Sequence, residues 1–237
     1  MTYAFYAKYT ETQKNPDPGI GVFSKNLMEI VELSVNFLKD AEKISLTSMV
    51  QGKRYFLSSK NGKASRAVNS DLFLEGHEHL DRLSEILKNP FSHKETAEQI
   101  TKILYTASTY FICANNIRNE RDNKTPGTFF EYFNKAVLSS HFGFMPVTKL
   151  PVMNMDEDIS LPVDYVFDLG RKLPKFHVPI KTSTRERIIQ VWAHQRVVDG
   201  AYGVGRFLGF PIIHGETKLS KQSREVVEIC LPNQWRL

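Results

Sequence analysis

The fold is decided by two neighbouring stretches, Leu161-Pro-Val-Asp164-Tyr-Val-Phe-Asp168 and Phe176-His-Val-Pro-Ile-Lys181-Thr-Ser-Thr-Arg185-Glu186-Arg187. Each stretch contains a short apolar run typical of a buried β-strand. An acidic residue opens the Tyr-Val-Phe run of the first stretch, and a lysine closes the apolar run of the second. The Thr and Ser residues after Lys181 predict a helix start, and Arg-Glu-Arg falls in the first turn of that helix.

The acidic residue and the lysine have the residue types that phosphodiester hydrolysis needs. Asp164 and Lys181 are 17 residues apart, a spacing compatible with one edge shared by two adjacent strands. Glu131, between Phe130 and Tyr132, has a helical position that could face the same edge. Mg²⁺ prefers oxygen ligands, so we predict Asp164 and Glu131 as its ligands and Lys181 as the residue that orients the nucleophile. The alternative is a chance combination of common residues.

The Arg-Glu-Arg turn has the residue types that recognise G·C base pairs. Arginine donates two hydrogen bonds to the O6 and N7 atoms of guanine, and a carboxylate accepts from the N4 amino group of cytosine. We therefore predict base contacts from Arg185, Glu186 and Arg187, with Gln190 directed at the site or the DNA backbone. The alternative is a solvated helix face with local ion pairs.

These residues resemble a known family of enzymes. The run from Pro179 to Arg187 is similar to the type II restriction endonucleases of the PD-(D/E)xK fold, in particular the branch that recognises CC…GG-containing sites. The resemblance covers roughly residues 125–200. It implies an α/β fold with a central mixed β-sheet flanked by helices, here with additional N-terminal helices. It assigns catalytic roles to Asp164, Lys181 and Glu131, and base contacts to Arg185, Glu186 and Arg187.

The sequence departs from the family pattern at the second acidic position. Pro179 stands two residues before Lys181, where most members have Asp or Glu, and Pro162 stands two residues before the first acid instead of directly before it. In the CC…GG branch the second acid lies in the following helix, at the position that corresponds here to His194 or Gln195.

Three alternatives for the metal site stay open. Glu131 supplies the second carboxylate, or His194 or Gln195 replaces it, or fewer protein ligands hold the metal. Asp168 is a rival to Asp164, and Glu186 is a further possible ligand. His194 could equally be a buried histidine with no part in the site.

Composition indicates a basic protein with an intracellular location. The 237 residues suit one α/β domain, or one domain with a smaller helical one. The net charge of +5 favours a polyanionic partner. Cys113 and Cys230 lie in apolar runs, which predicts reduced core residues. The sequence has neither a signal-peptide layout nor an apolar run of membrane-spanning length, so we expect a soluble cytoplasmic protein.

The remaining sequence predicts a mainly helical region over residues 1–120 and a nuclease core over 121–237, although the two could form one continuous domain. The first region is expected to serve dimerisation and DNA contact. Residues 1–20 predict a turn-rich arm, and residues 51–70 either a β-hairpin turning at Asn61-Gly62 or a DNA-contacting loop. Helices are predicted from Leu27, over 71–117 with a cap at Ser92, from Thr125 to Gly143, and after Lys181. Strands are predicted near 147–153, 162–168, 175–181, 207–213 and 225–231.

The leading hypothesis is a Mg²⁺-dependent type II restriction endonuclease that acts as a homodimer on double-stranded DNA. From the resemblance, a companion DNA methyltransferase is expected in the cell. The alternatives are a repair or phage nuclease on the same fold, a non-catalytic DNA-binding protein, and a basic α/β protein unrelated to DNA. His77-Glu-His79 is not completed by a nearby Cys or His, so it predicts a solvated helix face instead of a metal site.

Overall fold

The computed structural model describes residues 3–15, 18–49, 51–91, 94–151, 160–170, 173–183, 187–215, 217–220 and 225–228. The helices are α1 (Ala4–Thr12), α2 (Ile20–Leu38), α3 (Glu78–Lys88), α4 (Ala97–Arg118), α5 (Thr125–Phe142) and α6 (Arg187–Tyr202). The strands are β1 (Glu42–Leu46), β2 (Tyr55–Lys60), β3 (Lys63–Ala64), β4 (Val68–Asn69), β5 (Val147–Pro151), β6 (Ser160–Phe167), β7 (Lys175–Val178), β8 (Ile180–Lys181), β9 (Phe207–Gly209), β10 (Ile212–Ile213), β11 (Thr217–Leu219) and β12 (Val226–Glu228).

The chain has two compact units. The first comprises Met1–Gly143 with Thr217–Leu237, and the second comprises Phe144–Glu216. Helices α1 to α5 belong to the first unit, and a sheet with both parallel and antiparallel neighbours belongs to the second. The predicted α/β class, with a mixed sheet and additional N-terminal helices, is confirmed. The division of roles between residues 1–120 and 121–237 stays a prediction.

Aromatic side chains fill the core of the first unit. The rings of Phe111 on α4 and Phe129 on α5 stack with their centroids 3.8 Å apart, and Phe5 and Tyr9 of α1 pack against Phe111. Such ring pairs bury large apolar areas and contribute beyond that area through their geometry. Cys113 on α4 is a buried free thiol whose pKa burial raises to about 11, as expected of an inert core cysteine, while Cys230 lies outside the described residues.

The β-hairpin predicted within residues 51–70 is confirmed. Strands β2 and β3 pair antiparallel across Asn61 and Gly62, whose φ angles of 53° and 73° suit a two-residue turn. Lys60 donates to the Phe37 carbonyl at 2.6 Å, and Lys63 donates to the Arg118 carbonyl at 3.4 Å. These lysines bind neighbouring backbone, which favours a structural role for the hairpin over DNA contact.

Two predictions about helix starts are wrong. Residues 4–12, expected in a turn-rich arm, form α1, because Phe5 and Tyr9 recur at helical spacing and bury their rings. Helix α4 is capped by Thr96: its Oγ1 accepts from the Gln99 amide at 3.3 Å, and the Gln99 side chain accepts from the Thr96 amide at 2.8 Å. This capping box satisfies two backbone donors at once. Ser92, the predicted cap, lies outside the described residues.

The solvated face predicted for His77 and His79 is wrong for His79. Its side chain is buried, its Nδ1 lies 2.9 Å from the Gly76 carbonyl oxygen, and its ring stacks on Tyr110 at 5.1 Å. Burial lowers the pKa of His79. The pattern misled because residues two apart on a helix lie on nearly opposite sides, so that His77 is exposed while His79 is buried.

The second unit is built on a sheet with strand order β5-β6-β7-β9. The pairs β5–β6 and β6–β7 are antiparallel, and β7–β9 is parallel. Parallel neighbours need a crossover connection, and α6 supplies it. Its residue Val198 packs on the sheet in a cluster with Leu150, Val163, Val166 and Phe207.

The predicted strands over 175–181 and 207–213 each have a break at a proline. Pro179 separates β7 from β8, and Pro211 lies between β9 and β10. Pairing nevertheless continues beyond the breaks, because β8 and β10 are parallel partners and the Ile212 amide donates to the Pro179 carbonyl at 2.9 Å. Within the described ranges, none of the helices combines the length and apolar character needed to cross a membrane. The cytoplasmic location stays a prediction.

Candidate active site

Asp164 and Lys181, predicted to share an edge, are in direct contact. The Nζ atom of Lys181 donates to Oδ2 of Asp164 at 2.6 Å. The same oxygen accepts the backbone amide of Ile180 at 2.8 Å. The side chain of Asp164 is 26% exposed and that of Lys181 is 19% exposed, so solvent can reach a pair that is largely shielded. A carboxylate held this way has a fixed orientation at the open end of the β6–β7 hairpin.

Pro179 explains why the contact forms at this point. The β6–β7 ladder includes the pair Tyr165–Val178, and the next residue, Pro179, has no amide hydrogen to extend it. The following amide, that of Ile180, turns to the Asp164 carboxylate. Because Pro179 cannot extend the ladder, the Ile180 amide is left to orient the Asp164 carboxylate.

Asp168, the predicted rival to Asp164, lies at the turn end of the same hairpin. Its Oδ2 is 2.8 Å from Lys175 Nζ, and its Oδ1 accepts the Gly170 amide at 3.1 Å. The side chain is 50% exposed. The hydrogen bond from Lys175 lowers the pKa of Asp168. These contacts close the turn, and this arrangement is typical of a structural aspartate.

A buried polar network that no sequence pattern predicted joins β7 to α6. Nδ1 of His177 lies 2.8 Å from Oε1 of Gln195. Nε2 of Gln195 donates to Asp199 at 3.0 Å and to the Phe207 carbonyl at 3.2 Å. Gln195 and Asp199 are four residues apart on one helix, and that spacing is the only signal that linked them. The pairing with His177 depends on how the helix packs on the sheet.

This network fixes the protonation of His177. Both contacts of Gln195 Nε2 are to acceptors, so the amide orientation is set and Oε1 can only accept from His177. Nδ1 of His177 therefore carries the hydrogen. Burial lowers the pKa of His177, which keeps the ring neutral. Nε2 of the ring is buried and has no hydrogen-bond partner among the described residues.

Gly209 leaves room for the network. A Cβ atom at this position would lie 2.8 Å from Oε1 of Gln195, closer than real Cβ contacts come. Only glycine fits without displacing the amide. Because both ends of the Gln195 amide are bound, the geometry favours a structural role for it. Its use as a substitute metal ligand stays a prediction that would require these bonds to break.

The other predicted site residues on α6 are placed as follows. His194 is half-buried, with its ring centroid 5.3 Å from that of His177. Gln190 is exposed in the first half of α6. Helix α6 begins at Arg187, so the helix predicted after Lys181 is confirmed, while its predicted first turn with Arg185 and Glu186 stays a prediction. Arg185 and Glu186 lie outside the described residues, and their contacts with DNA stay predictions.

Glu131 belongs to the first unit. It lies on α5 between the buried residues Phe130 and Tyr132, and its own side chain is half-buried. Its negative charge contributes to the raised pKa of Tyr9, after the larger effect of burial. The structure therefore places Glu131 near Tyr9, and its role as a metal ligand stays a prediction.

The donor set suits a metal held by few protein ligands. Among the described residues, no three His, Cys, Asp or Glu side chains are grouped closely enough to form a metal centre. Mg²⁺ does not need such a group, since it keeps several waters and is commonly held by one or two carboxylates. Asp164, with a fixed orientation and partial exposure, fits that requirement.

Comparison with solved structures identifies the architecture. The chain is similar to the crystal structure of the Type IIP restriction endonuclease Kpn2I, with a TM-score of 0.72 and 25% sequence identity. The similarity covers 91% of this chain and 80% of that one. The fold is that of a restriction endonuclease. No protein-family model matches the sequence, and no curated protein matches it. The structural similarity therefore supports the fold that the resemblance implied, whereas the two sequence comparisons give no match.

Proposed function

We propose that this protein is a type II restriction endonuclease, a Mg²⁺-dependent enzyme that cleaves double-stranded DNA at a short G·C-containing palindrome of the CC…GG kind. The observation that carries the proposal is the 2.6 Å contact between Lys181 and Asp164. It pairs a cation with a carboxylate at the end of two strands, in a fold shared with a Type IIP restriction endonuclease. Hydrolysis of a phosphodiester needs both groups.

Each residue of the pair has its own role in this proposal. Asp164 would hold the metal, with its carboxylate oriented by the Ile180 amide and the Lys181 ammonium group. Bound Mg²⁺ would lower the pKa of a water molecule and neutralise the leaving oxygen. The ammonium group of Lys181 orients the attacking water and stabilises negative charge that develops on the phosphate. Glu131 stays the predicted second carboxylate.

Sequence recognition is assigned to the start of α6. Arg185, Glu186 and Arg187 contact the G·C pairs in this proposal, and Gln190 contacts the site or the backbone. A homodimer with two-fold symmetry matches a palindrome, so that each subunit cleaves one strand. In the cell, a companion DNA methyltransferase would protect the same sites from cleavage.

The test is incubation of the purified protein with phage-sized duplex DNA, with and without Mg²⁺, beside Lys181→Ala. Discrete fragments that require Mg²⁺ and disappear with the variant are the expected result, and mapping their ends gives the recognition site. A smear in place of fragments would indicate the repair or phage nuclease instead.

The second candidate is a non-catalytic DNA-binding protein. It is favoured by one observation, that Gln195, at a position where the CC…GG branch has its second acid, is a neutral amide bound to His177, Asp199 and the Phe207 carbonyl. This candidate gives a specific, metal-independent gel shift with no cleavage. The same incubation, followed by a gel-shift assay on restriction fragments, separates the two candidates.

A further inference from the structure

Two histidine rings lie side by side between β7 and α6 of the second unit. The ring centroids of His177 on β7 and His194 on α6 are 5.3 Å apart, with the ring planes inclined at 60°. Nε2 of His177 is buried and has no hydrogen-bond partner among the described residues. Within the same residues, no hydrogen bond holds the His194 ring either. Buried polar atoms in folded proteins nearly always have a partner, so Nε2 of His177 indicates a ligand outside the chain.

The network around Gln195 prepares His177 as a metal ligand. Nδ1 of His177 donates to Oε1 of Gln195 at 2.8 Å, so the lone pair of the neutral ring is on Nε2. Metal-binding histidines almost always donate their other ring nitrogen to an oxygen acceptor, which fixes the tautomer and the orientation of the ring. Gln195 is itself held by Asp199 and the Phe207 carbonyl. The tautomer of His177 and the direction of its lone pair are therefore set before any metal binds.

The separation of the two rings matches that of two imidazoles on one metal ion. A Zn–N bond is about 2.0–2.1 Å long, so the centroids of two imidazoles on one tetrahedral ion lie about 5.2 Å apart. The observed separation is 5.3 Å. His194 is half-buried, and no hydrogen bond among the described residues restrains its ring. The ring can therefore rotate to direct a nitrogen at an ion bound by His177.

The surrounding charge favours a cation, and the type of ligand selects its class. The negative charges of Asp164 and Asp199 act on the His177 ring. Imidazole nitrogen suits Zn²⁺, Cu²⁺, Ni²⁺ and Co²⁺, whereas Mg²⁺ prefers oxygen ligands. The histidine pair therefore selects a transition-metal ion and leaves Mg²⁺ to the carboxylate of Asp164.

We propose that His177 and His194 form a binding site for a divalent transition-metal ion such as Zn²⁺ or Co²⁺, with water completing its coordination. The site uses two protein ligands, in agreement with the lack of any group of three potential ligands among the described residues. A bound ion would connect strand β7 to helix α6 beside the Gln195 network. The site differs in ligand chemistry from the Mg²⁺ site of the proposed function and does not depend on that function.

Metal binding to the untagged chain tests the site. The dissociation constant for Zn²⁺ is measured by competition with a chromophoric chelator. Co²⁺ serves as the spectroscopic probe, because its visible absorption bands report nitrogen ligands and coordination geometry. The wild type is expected to bind one Zn²⁺ per chain and to develop the Co²⁺ bands. His194→Ala and His177→Asn should each raise the Zn²⁺ dissociation constant by at least about 10-fold and abolish the bands.

Three further variants separate the pair from other sites. His77→Asn is the control, because His77 is an exposed histidine of the first unit, and it should bind Zn²⁺ like the wild type. Asp164→Asn should change the Zn²⁺ affinity far less than the histidine variants, since it leaves both rings in place. Gln195→Leu removes the acceptor of the His177 Nδ1 hydrogen and should weaken Zn²⁺ binding by about 10–100-fold. Circular dichroism checks that each variant is folded.

Three results would overturn the inference. The first is a wild-type protein that does not bind Zn²⁺, and the second is equal binding by the wild type and both histidine variants. The third is a loss of binding in Asp164→Asn with full binding in the histidine variants, which would assign the ion to the carboxylate. DNA cleavage is not a readout of this test, so a failure of the proposed function and a failure of the site are seen separately.

Discussion

Two aspartate–lysine pairs lie along the β6–β7 hairpin, one at its open end and one at its turn. Asp164 contacts Lys181 at 2.6 Å, and Asp168 contacts Lys175 at 2.8 Å. The contacts are similar in length, but the side chains of the turn pair are 42–50% exposed and those of the open-end pair only 19–26%. Exposed ion pairs contribute little because water screens them, whereas shielded groups interact strongly with whatever binds beside them. Burial, more than distance, separates the candidate site from a structural contact.

The largest difference is expected between the two lysines. Lys181→Ala should reduce the initial rate of DNA cleavage by at least about 100-fold, as for other groups that stabilise charge in a transition state. Lys175→Ala should stay within about twofold of the wild type, because it removes only an exposed pair. Rates are measured on one plasmid at saturating Mg²⁺. Equal losses for both variants would abolish the distinction between the pairs.

The two aspartates should differ in metal binding. Saturating Mg²⁺ should raise the melting temperature of the wild type and of Asp168→Asn, but not that of Asp164→Asn, which lacks the carboxylate. A metal present at 100 times its dissociation constant stabilises by about 2.7 kcal/mol, equivalent to several degrees. Differential scanning calorimetry measures this without any cleavage. A full Mg²⁺ response from Asp164→Asn would assign the metal elsewhere.

The buried layer between the two pairs should be sensitive to a single methyl group. Val166 lies midway between the aspartates and is in register with His177, which contacts Gln195. Gly209→Ala should lower the free energy of unfolding by about 1–3 kcal/mol, because the added Cβ must displace Gln195. Gly127→Ala is the control, because beyond its chain neighbours and the backbone of its own helix no described atom lies within 4 Å of the position that the added methyl group would take. Urea titration measures both, and equal stability would mean that the network adapts freely.

The smallest expected effect is a change in pH dependence. His177 is buried with a lowered pKa. The pKa of a histidine in the unfolded chain is about 6.5. Below that pH the unfolded chain binds a proton that folded His177 does not bind. The free energy of unfolding therefore falls as the pH decreases, by at most about 1.4 kcal/mol per pH unit. His177→Asn retains a donor near Nδ1 and should reduce this loss between about pH 6.5 and 5. His79, also with a lowered pKa, should account for a further part.

Urea titrations at several pH values check this last prediction. His77→Asn is the control, because His77 is exposed. An unchanged pH slope in His177→Asn would mean that the folded protein accommodates a charged ring at this position.

The sequence predicted those features that depend on local pattern. The apolar runs and the proline and glycine signals located α2 to α6 and the strands of the second unit, and the Asn61-Gly62 turn was recognised from its residue types alone. The contact of Asp164 with Lys181 was accessible because hairpin neighbours are close in sequence. Helix α1 was missed because the Asn-Pro-Asp-Pro-Gly turn signal beside it was stronger than its short apolar pattern.

Features that depend on packing could not be predicted. The contact between His177 and Gln195 joins a strand to a helix, and no spacing rule fixes which residues meet there. The same holds for Gly209, whose need for glycine arises from the Gln195 side chain and not from its own backbone angles. Val191 and Val197 are the same type of residue on the same helix. The orientation of α6 on the sheet decides that Val191 is buried and Val197 is exposed.

The crossover position of α6 has a consequence for how such a protein can evolve. The helix that begins at Arg187 is also the connection between the parallel strands β7 and β9. Under the proposed function, a new target specificity therefore cannot be acquired by exchanging this segment for an unrelated one, since the sheet would lose its link. Specificity must change through substitutions that leave the backbone of α6 in place. Residues that pack the helix on the sheet, such as Val198, limit which substitutions the fold tolerates.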